Sequence, residues 1–115
     1  ALNGGRAGGR QLLKAETMKR MTTNQTDGLK VSFTEGMHMG LGWHLVNEPQ
    51  GVTESLSAGS FGHGGAYGTQ AWIDPGKGLI LVLLIQHANI GNADGSEMRR
   101  AFQGAAVAAF GSRAP

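Results

Sequence analysis

The chain has 115 residues, 40% of them hydrophobic and 16% charged, a net charge of +2 and 20 glycines. That suffices for one small domain with a core, and the glycines point to many turns rather than disorder, because apolar runs persist between them. The mild charge, scattered from Arg6 to Arg113 with no basic stripe, argues against nucleic-acid binding. The absence of cysteine excludes thiolate zinc sites and disulfides, and no apolar run approaches the roughly 20 residues of a membrane helix.

Ala1 to Gly9 is glycine-rich and reads either as the exit from a helix end or as a polar linker. Residue 1 is Ala rather than Met and no signal peptide is recognisable, so the start suggests a processing boundary or a cut inside a longer chain. Ala15, Met18 and Met21 recur at helical spacing and predict a short helix over Ala15 to Thr22. Asp27-Gly28 signals a turn, and Val31 to Met39 is ambiguous. Leu41 to Val46 predicts a strand with Leu41, Trp43 and Leu45 on one face and Gly42, His44 and Val46 on the other. The next turn lies at Glu48 to Gly51.

Ser60 to Ile73 is the stretch around which the rest is arranged. Gly62, Gly64, Gly65 and Gly68 crowd around His63, which suggests that something approaches the backbone there. Two readings stand: a ligand lying against main-chain N–H groups, or a bulged or bent edge strand. Asp74 to Gly78 is a turn signal joining a strand over Tyr67 to Asp74 to one over Leu79 to Gln86, a hairpin. From Leu79 to Ile85 both alternating sets are apolar, which asks for cover on both sheet faces. Asp94 and Glu97 have capping-box spacing, and Met98, Phe102, Ala105, Ala109 and Phe110 form an apolar helix face with Arg99, Arg100 and Gln103 off it; Gly111 ends the helix. The fold class expected is α+β: an antiparallel sheet with a C-terminal helix across one face. The Ala15 helix is a poor cover for the other, so another polypeptide is expected there, a missing N-terminal segment or a second copy in a homo-oligomer.

Phe61-Gly62-His63-Gly64-Gly65-Ala66, the strand ending Trp72-Ile73-Asp74-Pro75, and Gly78 to Leu83 resemble the C-terminal region of the serine β-lactamase-like family. That family includes class C β-lactamases, D-alanyl-D-alanine carboxypeptidases and related esterases. Leu2 to Gly5, Arg10 to Thr17, Met21 to Gln25 and Leu41-Gly42-Trp43 extend the resemblance in order, with Lys14-Ala15 where many members have Ser-Pro. It implies that residues 1–115 form a single partial domain, the last third or so of a β-lactamase-like member, with no cofactor and a small ester, amide or β-lactam substrate. It leaves the compartment open, the family being often extracytoplasmic and its esterase branch often cytoplasmic.

The resemblance implies acyl transfer by a serine in Ser-x-x-Lys, with the third motif opposite it. That motif falls on His63-Gly64-Gly65. Ala66 would supply a backbone N–H to the oxyanion, while His63, Gly64, Gly65 and Tyr67 would line the substrate, His63 pairing with a substrate carboxylate or a catalytic tyrosine. His in place of the β-lactamase lysine leans towards esterase-like chemistry. No Ser-x-x-Lys and no Tyr-x-Asn occurs in the sequence, so the chain alone is expected to be silent. A Ser60–His63 dyad and a metal site drawn from His38, His44, His63 and His87 are the weaker readings, the second because no short ligand spacing fits. The rival class is a non-catalytic interaction module that kept the sheet and lost the chemistry.

Overall fold

The structure, a computed structural model, describes residues 3–31, 34–89 and 96–111. Two strands, β1 (Arg6–Ala7) and β2 (Arg10–Gln11), open it as a small hairpin. Gly8 and Gly9 carry φ of 54° and 77°, the doubly left-handed backbone of a tight two-residue turn that matches strand twist. Arg6 to Gln11 is thus a hairpin rather than a polar linker. Helix α1 (Ala15–Met21) comes next, as the spacing predicts, burying Met18.

A five-stranded antiparallel sheet forms the body, in the order β3 (Met37–Met39), β4 (His44–Val46), β5 (Phe61–Gly64), β6 (Gln70–Asp74) and β7 (Leu79–Leu83). The β6–β7 hairpin is the one the turn signal predicts. The strand expected from Leu41 starts only at His44, because Gly40 to Gly42 turn the chain and Gly42 takes a φ of 78°. Helix α2 (Glu97–Phe110) lies across one face. Its Phe102, Ala106 and Val107 pack against a cluster of Met37, Val46, Leu56, Trp72 and Leu81. The expected class, α+β with a helix over one sheet face, is what the molecule has.

Two expectations need correction. The first concerns α2. Met98 and Phe110 are exposed, as are Ala105 and Ala109, whereas Arg99 and Gln103 are buried. The helix is rotated from the face its apolar pattern suggests, because its inward polar side chains find partners. Gln103 Nε2 donates to Gln70 Oε1 at 3.0 Å, which also accepts from Trp72 Nε1 at 3.2 Å. The helix start is capped by Ser96, whose hydroxyl accepts from the Arg99 N–H; Asp94 lies outside the described residues. The second concerns β5, which lies between β4 and β6 and is not an edge strand.

The sheet's other face is unevenly covered. Leu45, Phe61, Ile73 and Ile80 stand opposite one another in one row across it. Leu45 and Phe61 are buried, with Trp43 set edge-on against Phe61 at 5.7 Å and Met18 of α1 near it in a shallow cleft. At the β7 end Ile80 and Val82 are 64% and 49% exposed, and Leu84 beyond the strand is 81% exposed. The unbroken apolar run asks for cover on both sides of this ribbon, and the described residues supply it on one side only.

Candidate functional site

The site is built where β5 runs out into the turn that leads to β6. Gly62 pairs with Trp72, His63 with Ala71 and Gly64 with Gln70, so β5 is held on register up to Gly64. Beyond it, the Gly65 N–H donates to Thr69 O at 2.7 Å and the Gly68 N–H to Gly65 O at 3.3 Å, closing a turn that carries Ala66 and Tyr67 at its exposed tip. The His87 N–H holds the Tyr67 carbonyl at 3.0 Å.

What approaches the glycines is in part the protein itself. A Cβ on Gly62 would collide with the Ala71 carbonyl oxygen and then meet the Trp72 ring at 2.7 Å, and one on Gly64 would meet the Arg99 guanidinium at 3.2 Å. One on Gly65 would collide with the Thr69 hydroxyl. The glycines therefore admit Trp72, Arg99 and Thr69.

Arg99 is the residue that sequence reasoning missed. It is buried, and no carboxylate pairs with it among the described residues. Its partners are main-chain carbonyls of the turn: Nη2 donates to Gly65 O at 2.6 Å and to Thr69 O at 3.2 Å, and Nε donates to Gly68 O at 3.3 Å. Burial lowers its pKa, but arginine starts so high that it stays charged. The only sequence signal was its place in the first turn of an amphipathic helix, off the apolar stripe, which reads as an ordinary solvated cation.

His63 is exposed, and its Nδ1 lies 2.6 Å from the Gly64 carbonyl. A carbonyl can only accept, so Nδ1 carries the hydrogen and Nε2 of the neutral ring is the acceptor. The His63 ring stacks on His44 at 4.4 Å between centroids and 17° between planes. Burial first, and the neighbouring His63 second, lower the His44 pKa below the usual histidine value. Of the four histidines weighed as a metal set, the structure brings these two together, and no group of three or more possible ligands forms among the described residues. Ser60 is fully buried with its hydroxyl unpaired, and it does not bond His63, so the Ser60–His63 dyad is not formed.

The Ala66 N–H donates to no acceptor among the described residues, and Ala66 is exposed. A main-chain donor left without an internal acceptor in an exposed turn is suited to polarising a carbonyl. The shallow cleft beside α1, lined by Met18, Phe61 and Pro75 among others, takes in none of His63 to Tyr67.

No curated protein matches the chain. The family model described as Beta-lactamase matches residues 2–106, which takes in both hairpins, every strand of the sheet and most of α2. With nearly its whole length matched and a serine hydrolase-like sheet and helix in place, the chain belongs to the beta-lactamase family.

Proposed function

We propose that this chain forms one wall of a serine acyl-transfer pocket, with the nucleophile supplied from outside it. Ala66 contributes an N–H to the oxyanion, and His63, Gly64, Gly65 and Tyr67 lie along the substrate. The observation that carries this reading is the N–H of exposed Ala66, without an acceptor among the described residues, just after a strand whose His63-Gly64-Gly65 resembles the family's third motif. With Nδ1 held by the Gly64 carbonyl, His63 presents Nε2 outward, where β-lactamases of the family carry a lysine. That supports ester chemistry over the hydrolysis of carboxylate-bearing β-lactams.

The sequence has neither Ser-x-x-Lys nor Tyr-x-Asn. The chain alone is therefore expected to be silent towards p-nitrophenyl esters and a chromogenic cephalosporin, and to gain ester hydrolysis when assembled with a polypeptide carrying Ser-x-x-Lys. Replacing Ala66 by Pro removes the donor and should cut that activity by about 10²–10³-fold. Activity of the chain alone, lost on substituting Ser60 or His63, would sink the proposal.

A second reading, a non-catalytic module that associates with copies of itself, is favoured by the bare β7 ribbon at Ile80, Val82 and Leu84. Intact mass and chain count in solution, measured beside the hydrolysis assays, separate the two.

A further inference from the structure

The Gly65–Ala66 peptide bond is trans, as are all those described. In a trans peptide the carbonyl of one residue and the N–H of the next lie in one plane and point in opposite directions. Arg99 Nη2 holds the Gly65 carbonyl at 2.6 Å from the α2 side. The Ala66 N–H, the other end of that rigid unit, is thereby directed away from α2 into the open. The same guanidinium holds Gly68 O and Thr69 O, and the Gly68 N–H takes the remaining lone pair of Gly65 O. One planar fork thus fixes three carbonyls of a five-residue turn, which a lysine, as a point charge, does not do. A charged donor on the carbonyl also draws electron density through the amide and makes its N–H a stronger donor.

We infer that Arg99 is a positioning residue for the oxyanion site: its grip on the carbonyls of Gly65, Gly68 and Thr69 aims and polarises the Ala66 N–H. The inference rests on the proposed role of Ala66, and its test does not use turnover. Arg99 touches no substrate; it acts through the peptide plane. Gly64 is part of the same device, since a Cβ there would meet Nη1 at 3.2 Å.

The test is nuclear magnetic resonance on the 115-residue chain and its Arg99→Lys, Arg99→Met and Arg100→Met variants. Three readouts are taken: the residual dipolar coupling of the Ala66 N–H, the Gly65 carbonyl ¹³C and Ala66 ¹⁵N shifts, and hydrogen exchange at Gly65 and Gly68. In Arg99→Met the Ala66 coupling should change while couplings in β6 and β7 hold. Both shifts should move upfield as the charged donor is lost, and exchange at Gly65 and Gly68 should rise by about tenfold or more. Arg99→Lys should show the same changes in smaller measure, and it serves as the decisive variant if Arg99→Met does not fold. Arg100→Met should leave all three readouts unchanged.

A purely structural role predicts that exchange rises evenly across the sheet with the Ala66 coupling intact. That result, or an unchanged coupling in a folded Arg99→Met chain, overturns the inference. A reoriented Ala66 N–H combined with silence in every serine-bearing assembly would instead refute the proposed function and leave the positioning role standing.

Discussion

At the scale of single residues, Asp74 is the clearest case of a side chain whose chemistry is set by its surroundings. Burial alone would raise its pKa, but hydrogen bonds from the Ser57 N–H at 2.9 Å and the Lys77 N–H at 3.0 Å, with the Lys77 ammonium nearby, outweigh it and leave the pKa below 3.8. The contribution of a carboxyl lowered in this way is fully present above pH 3.8 and is lost as pH falls through the folded value. Asp74→Asn should cost about 1.5–3 kcal/mol at pH 7 in urea unfolding and flatten the acid limb of the stability curve. His44 responds in a higher window. Its folded pKa lies below 6.5, so the unfolded ring takes a proton first and stability falls as pH drops below that value. His44→Phe should remove that part of the slope on the acid side of neutrality, read from urea midpoints. Gly62 tolerates no methyl: Gly62→Ala would collide with the Ala71 carbonyl oxygen and press on the Trp72 ring at 2.7 Å, and should cost about 1–3 kcal/mol. The sequence made His63 and the glycines conspicuous because they are rare types in a dense cluster. It did not expose the His44 partner, since the stack depends on β4 pairing with β5 across an intervening loop, His44 against Gly62 and Leu45 against Phe61.

At the scale of elements, β4, β6, β7 and both helices were legible because alternation and 3.6-residue spacing are local, whereas β3 fell in an ambiguous stretch and β5 read as a glycine-rich approach to a strand. The orientation of α2 was not. Periodicity ranks faces by hydrophobicity, and here Arg99 and Gln103 are drawn inward by carbonyl and amide partners while Met98 stays out. The contrast can be measured. Gln103→Ala removes a buried amide bonded to Gln70 and should destabilise by about 1–3 kcal/mol. Met98→Ala, on the outer face, should stay within about 0.5 kcal/mol. The opposite order in urea titrations would restore the apolar stripe as the packed face. The β1–β2 hairpin was missed for a related reason: its strands are two residues each, too short for any alternation, and its only mark was Gly8-Gly9.

At the scale of the whole molecule, the sheet has one finished side and one unfinished. Fully burying an aliphatic side chain stabilises by about 1.5–3 kcal/mol, so covering Ile80, Val82 and Leu84 is a sizeable driving force for association. The described edge of β7 also lacks the charges that commonly keep strand edges apart. The isolated chain should therefore self-associate at roughly tens of micromolar in sedimentation velocity. The Ile80→Lys, Val82→Lys, Leu84→Lys triple variant should sediment as a monomer. A wild-type chain that remains monomeric across that range counts against any partner on this face.

The grip of Arg99 on Gly65 spans 34 positions of the sequence. During synthesis the sheet can pair before α2 has left the ribosome, but the tip at Ala66 then has nothing behind it. The turn at Ala66 should accordingly be set last, when the closing helix docks. Any lesion that loosens that helix, however far from the turn, should free the Gly65 to Thr69 carbonyls before it melts the sheet.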